Sequence, residues 1–129
     1  MGVLDKLYEN NDSEIVEEFL NQWDYIIDEI DLVIERLESD YTESINELFR
    51  TFHSLKSATA FLGLKRINIF CQFVEDVLEV ARQRDKPTDE LIDWLFIASG
   101  QILTWYKEIT HNEELSSIDP KLLKIPKGY

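Results

Sequence analysis

Apolar residues recur every three or four positions along most of this chain, the spacing that places them on one face of an α-helix. The pattern predicts four long helices, from about Ser13 to Glu38, from Thr42 to Leu62, from Lys65 to Arg84, and from a Thr88 cap onward. The apolar stripe of the second helix comprises Ile45, Leu48, Phe49, Phe52, Leu55, Thr59 and Leu62. Short connections between amphipathic helices predict an all-α, antiparallel, up-down-up-down four-helix bundle.

The predicted helix ends carry start and stop signals. Side chains able to cap a helix start are Asn11, Asp12 and Ser13 before the first helix and Thr88 before the fourth. Ser44 and Glu47 have the spacing of a capping box. Gly63 follows the second helix and suits a C-terminal cap, because glycine adopts a positive φ without strain.

The ends of the chain are less regular than its middle. We divide it into an N-terminal segment, 1–12, a bundle, 13–110, and a C-terminal tail, 111–129. Val3 to Tyr8 suggests a short leading turn, and the apolar residues of the tail fit either a short fifth helix or a packed tail. Pro120 and Pro126 break the pattern there, so both alternatives stay open.

Composition and charge narrow the possible functions. The chain has 129 residues, enough for one domain, and its net charge of −13 repels nucleic acids and anionic membranes. No apolar run is long enough to span a bilayer, so we expect no membrane partner. The single cysteine, Cys71, allows no intramolecular disulfide, suits a reducing compartment and lies among apolar neighbours as a structural thiol. We therefore expect a cytoplasmic protein, and we further expect it to be a monomer.

The most informative segment surrounds His53. With a step of about 100° per residue, His53 falls on the shoulder of the apolar stripe, with Ser57 and Ala60 further along the same side. Lys56 is three residues away and is a helical neighbour. A lysine has no evident structural purpose beside a neutral histidine. Beside a phosphohistidine it would supply an ammonium to the phosphoryl oxygens.

The helix hairpin adds a second constraint. If the chain reverses at Gly63, His53 lies level with Phe73, whose neighbours Gln72 and Glu75 are polar. Either can accept a hydrogen bond from Nδ1–H of His53, which would leave Nε2 unprotonated and nucleophilic. We favour Glu75, because a carboxylate also supports the charge that develops on the ring.

The pattern His53-x-x-Lys56 followed by Gly63 resembles the signature of histidine phosphotransfer (HPt) domains. It is most similar to the N-terminal phosphotransfer domain of chemotaxis-type histidine kinases, and the similarity extends from about Ile15 to Ile109. It includes Ile45-Asn46-Glu47-Leu48-Phe49-Arg50 before the histidine and Val74-Glu75-Asp76-Val77-Leu78 after it.

The resemblance implies a role for each of these residues. His53 matches the phosphoacceptor, Lys56 the phosphate-facing lysine and Glu75 the glutamate that hydrogen-bonds the histidine. Two positions depart from the family, since Ser57 replaces the usual glycine and Gln72 replaces a histidine of the chemotaxis branch. Gln72 is therefore a possible second polar neighbour of the ring.

The implied function is that of a phosphoryl carrier, which receives the group from a histidine kinase or receiver aspartate and passes it to another receiver. The carrier is not itself an enzyme and holds no cofactor or metal, since Mg²⁺ and the acidic pocket belong to the partner. We expect the receiver to dock over Ser57, Ala60 and Gly63.

Two rival hypotheses deserve comparison. The first is a bundle that docks on a receiver or kinase without being phosphorylated, and the presence of both His53 and Lys56 argues against it. The second is a metal-binding bundle. The chain has two histidines only, and Arg50 occupies the position where a Glu-x-x-His metal motif would need glutamate, so we discount it.

Overall fold

The computed structural model describes residues 2–126, and within them it contains helices and no strand. The five α-helices are α1 (Val3–Asn10), α2 (Ser13–Glu35), α3 (Tyr41–Phe61), α4 (Lys65–Ala81) and α5 (Asp89–Thr110), and a 3₁₀-helix follows at Pro120–Leu123. The prediction of an all-α bundle with short flanking elements is confirmed.

Helices α2 to α5 form the bundle, and α3 and α4 are its most closely packed pair. The hydroxyl of Tyr41, at the start of α3, donates a hydrogen bond of 2.6 Å to the carbonyl of Ala81, at the end of α4, so the two helices run antiparallel. Between α4 and α5 the contact is made by aromatic rings. Phe70 meets Trp105 edge to face at 5.1 Å.

The predicted apolar stripes form the core. On α3, Ile45, Leu48, Phe52 and Leu55 are almost wholly buried, with at most 2% of their surface exposed. Phe49 is different, because it is only half-buried although its spacing predicted a core position. The stripe on α3 is therefore narrower than its sequence pattern suggested, and Phe49 lies at its edge.

Two helices end earlier than predicted. Helix α2 ends at Glu35 rather than Glu38, and α4 ends at Ala81 rather than Arg84. In both cases the last turn is tightened, because the backbone N–H groups of Leu37 and Arg84 bond carbonyls three residues back, at 3.1 Å each. Leu37 stays fully buried in this turn, which explains why the apolar pattern continued past the helix end.

The capping side chains are partly as predicted. Asp12 and Thr88 accept hydrogen bonds from backbone N–H groups of the first turns of α2 and α5, at 2.9 and 3.1 Å. The capping box on the second helix is wrong, because α3 already begins at Tyr41 and Ser44 is buried within its first turn. Glu47 instead forms an exposed ion pair of 3.4 Å with Arg36, the residue that follows α2.

The connection between α3 and α4 is a Schellman motif. Gly63 has a φ of 75°, and its N–H bonds the carbonyl of Ala60 at 3.2 Å. The N–H of Leu64 reaches back to the carbonyl of Thr59 at 2.8 Å. The predicted glycine cap is confirmed, and it sets the register of the hairpin.

Both terminal segments pack against the bundle. The N–H of Val3 bonds the carbonyl of Glu113 at 3.1 Å, which ties α1 to the tail. Further along, the indole N–H of Trp94 donates to the carbonyl of Leu122 at 3.1 Å, and the Leu122 side chain is fully buried. The tail thus combines the two alternatives, a packed segment with one short 3₁₀-helix. Residues 2–126 contain no helix long and apolar enough to cross a membrane.

Candidate functional site

His53 lies on α3 and faces the α3–α4 groove with one edge of its ring. Its Nδ1 is 3.0 Å from Oε1 of Glu75 on α4, while 57% of the side chain remains exposed. A carboxylate can only accept a hydrogen bond, so the proton of the bond belongs to Nδ1. This leaves Nε2, on the exposed side of the ring, as the unprotonated nitrogen of the neutral imidazole.

Glu75 is buried, with 5% of its side chain exposed, and each of its two carboxylate oxygens contacts a different side chain. Oε1 meets the ring of His53, and Oε2 lies 2.8 Å from Nζ of Lys56. That ion pair is the polar partner of Oε2, since no well-directed hydrogen bond reaches this atom. A buried carboxylate needs such a charge partner, because taking it out of water uncompensated is costly.

Lys56 connects this buried pair to the surface. Its ammonium also donates to Oε1 of Gln72 at 3.0 Å, and Nε2 of Gln72 donates to Asp76 at 2.9 Å. The expectation that Lys56 has no structural purpose beside a neutral histidine is wrong. Its charge neutralises the Glu75 carboxylate, which a local sequence pattern cannot reveal because the two residues lie on different helices.

The structure therefore brings together four of the predicted site residues, His53, Lys56, Gln72 and Glu75, in one network across α3 and α4. The three residues predicted for docking, Ser57, Ala60 and Gly63, are exposed on α3 and the turn after it, between His53 and the end of the hairpin.

Several residues near the site were missed at the level of sequence. The ring of Phe49 lies parallel to the ring of His53, with centroids 6.3 Å apart, and the guanidinium of Arg82 lies over Phe49. Phe61 and Ile69 are large apolar residues with 70% and 59% of their surface exposed, on the same hairpin. The i−4 spacing of Phe49 was a usable signal for its proximity, whereas nothing local points to Arg82.

Charge is unevenly distributed between this hairpin and the rest of the chain. Residues 41–84 contain six Lys and Arg against five Asp and Glu, a net charge of +1. The remaining residues contain seven against 21, a net charge of −14. The segment that contains His53 is thus near-neutral within a strongly acidic protein.

The part of the chain that the structure describes has neither a cluster of metal ligands nor a reactive thiol. No group of three or more metal-ligating side chains occurs within residues 2–126. Cys71 is fully buried, and burial raises the pKa of its thiol far above the ordinary value, with the nearby Glu75 adding to the effect. A thiol that resists ionisation is a poor nucleophile, so Cys71 is structural.

Comparison with known proteins agrees with this arrangement. The family model of the Hpt domain matches residues 8–112. The chain is also 30% identical over 79 residues to the chemotaxis protein CheA of Listeria monocytogenes and to that of Listeria innocua. The matched region covers 59% of this chain and 13% of each relative. No solved structure gives a significant match.

The match over most of the chain shows the family. This protein belongs to the Hpt domain family, the histidine phosphotransfer domains. It spans only a small part of the length of the two chemotaxis proteins, so their activities as whole proteins do not transfer to it directly.

Proposed function

We propose that this protein carries a phosphoryl group on Nε2 of His53 and exchanges it with the aspartate of a receiver domain. The observation that supports this most directly is the bond between Nδ1 of His53 and the buried Glu75. It leaves the nucleophilic nitrogen on the exposed side of the ring, where another protein can reach it.

In the proposed step, the lone pair of Nε2 attacks phosphorus. An N–P bond forms as the O–P bond of the aspartyl phosphate breaks, and the receiver carboxylate leaves with the electron pair. Nδ1 keeps its proton, so the ring becomes cationic as the bond forms. Glu75, 3.0 Å away, stabilises that charge without having to move.

Lys56 has the reach and the charge for a second role in this step. Before transfer its ammonium is 2.8 Å from Glu75, and 23% of its side chain is exposed. Once the phosphoryl group arrives, the imidazolium next to Glu75 takes over part of the neutralisation. Lys56 is then free to bond the phosphoryl oxygens, as lysine does in other phosphate sites.

We assign the other groups that phosphoryl transfer needs to the partner protein. A receiver would bring its aspartate, an acidic pocket and Mg²⁺, which makes this protein a carrier rather than an enzyme. The surface around His53 suits that partner, because Ser57 and Ala60 offer no bulk and Phe61 is exposed beside them. The near-neutral charge of residues 41–84 also avoids repelling an acidic pocket.

The proposal is tested by phosphorylating the purified protein with a phosphorylated receiver and, separately, with phosphoramidate. We expect label that is labile in acid and stable in alkali, and none in a His53→Gln variant. His111→Gln is the matched control and should be labelled normally, because His111 lies at the C-terminal end of α5, outside the network. Label that persists in His53→Gln would refute the assignment, and a protein labelled by neither donor would favour an adaptor function.

A further inference from the structure

The ring of His53 is in contact with α3 itself as well as with Glu75. One helical turn before it, the ring of Phe49 lies parallel to the imidazole, with 7° between the planes and 6.3 Å between the centroids. This separation fits an offset stack of two aromatic rings. A parallel neighbour restricts rotation of the imidazole about its bond to Cβ, and this restraint adds to the one that the hydrogen bond of Nδ1 imposes.

Phe49 is in turn held by a cation from the neighbouring helix. The guanidinium carbon of Arg82 lies 4.4 Å from the centroid of the Phe49 ring, within the range of a cation–π contact. Arg82 is itself fixed by two hydrogen bonds, one to Oδ1 of Asn46 at 3.0 Å and one to Oε2 of Glu79 at 3.1 Å. The planar guanidinium therefore has a defined position over the phenyl ring.

We propose that Phe49, clamped by Arg82, is a positioning residue that holds the His53 ring in the orientation in which Nε2 faces an incoming phosphoryl group. The consequence for phosphoryl transfer rests on the proposed function, whereas the effect on ring orientation does not. Glu75 fixes which nitrogen carries the proton, and Phe49 is a second restraint on the plane of the ring. Arg82 acts through Phe49.

Core packing accounts for only part of this arrangement. Phe49 packs against the edge of the core and is only half-buried, and 36% of the Arg82 side chain is exposed, so neither side chain fills the interior of the bundle. The three side chains connect the end of α4 to the nucleophile through two direct contacts.

The experiment compares Phe49→Ala, Phe49→Tyr and Phe96→Ala in the full chain. Phe96 is a half-exposed phenylalanine of α5 and serves as the matched control. Three-bond NMR couplings from Hβ of His53 to Nδ1 and Cδ2 report the orientation of its ring about the bond to Cβ, and the initial rate of labelling by phosphoramidate reports transfer without docking. Circular dichroism checks the fold of each sample.

We expect Phe49→Ala to shift the His53 couplings toward the values of a freely rotating ring. Labelling should slow by about two- to tenfold, the rate change that corresponds to the free energy of one aromatic contact. In Phe49→Tyr, which keeps an aromatic ring, both the couplings and the labelling rate should stay at their wild-type values. Phe96→Ala should likewise change neither. Arg82→Ala should shift the couplings in the same direction by a smaller amount. Arg84 is an exposed arginine two residues further on, and Arg84→Ala should leave the couplings unchanged.

Unchanged His53 couplings in Phe49→Ala would overturn the inference, whether or not labelling slows. Should that variant unfold, Phe49→Leu keeps an apolar side chain without the ring face and must produce the same change in couplings. If the wild-type protein is not labelled on His53 at all, the proposed function fails, and the couplings still decide whether Phe49 positions the ring.

Discussion

Removing the ammonium of Lys56 should destabilise the fold more than removing the carboxylate of Glu75, although the two form one ion pair. The reason is the difference in burial, since 5% of the Glu75 side chain is exposed against 23% for Lys56. In Lys56→Met the carboxylate stays buried without its countercharge. In Glu75→Gln the ammonium can turn toward water, and the amide keeps hydrogen-bonding atoms near His53.

The two losses differ enough to be measured. Breaking a buried pair so that one charge is left behind costs about 3 kcal/mol or more. Glu75→Gln loses mainly one hydrogen bond to a charged group, and since the ammonium of Lys56 can turn toward water we expect about 1.5 kcal/mol, the lower end of the range for such a bond. For a urea m-value of about 1.5 kcal/mol per molar, Lys56→Met should lower the unfolding midpoint by about 2 M.

The assay is equilibrium unfolding in urea, monitored by far-ultraviolet circular dichroism. Urea is chosen because it does not screen charges. Lys107→Met on α5 is the control, because an exposed lysine without a buried partner should change stability by about 0.5 kcal/mol at most. A loss of stability in Lys56→Met no greater than that in Lys107→Met would contradict this expectation, and so would a greater loss in Glu75→Gln than in Lys56→Met.

Four further outcomes are expected. Lys56→Ala, assayed where it is still folded, should slow labelling of the histidine by about ten- to a hundredfold, the worth of a charge-assisted hydrogen bond, and unchanged kinetics would remove its role. Ala60→Trp should block transfer from a receiver but not labelling by phosphoramidate, and normal receiver transfer in the folded variant would show that docking occurs elsewhere. Gly63→Ala should lower the free energy of unfolding, measured in urea, by about 1 kcal/mol because Gly63 has a positive φ. Gly100→Ala within α5 should instead stabilise the fold, and equal effects of the two substitutions would contradict this. Cys71, whose thiol pKa is raised by burial, should react with a thiol reagent at mildly alkaline pH only after unfolding, and rapid labelling of the native protein would be inconsistent with its position.

Local sequence determines most of the secondary structure of this protein and part of its candidate site. The four long helices follow from the spacing of apolar residues, because an amphipathic helix buries one stripe wherever it packs. The cap at Gly63 follows from the chemistry of a single residue, since glycine alone adopts a φ of 75° without strain. The neighbourhood of His53 and Lys56 is equally local, because residues three apart on a helix lie on the same face.

The hairpin register was only partly accessible from sequence. Reversal at Gly63 brought Gln72 and Glu75 within reach of His53, and both lie in the network. Which of them meets the ring depends on the rotation of α4 about its axis, and core packing sets that rotation. Glu75 points into the groove and is buried, while Gln72 lies one turn away at the surface and bonds Lys56 instead.

The remaining features were decided by tertiary structure alone. The early ends of α2 and α4 depend on how the chain turns to reach the next helix, while the apolar pattern runs on through residues such as Leu37. The ion pair of Lys56 with Glu75 and the contact of Arg82 with Phe49 each join residues far apart in the chain. No local preference specifies such contacts, because they arise only when packing the bundle core fixes the distance and rotation between α3 and α4.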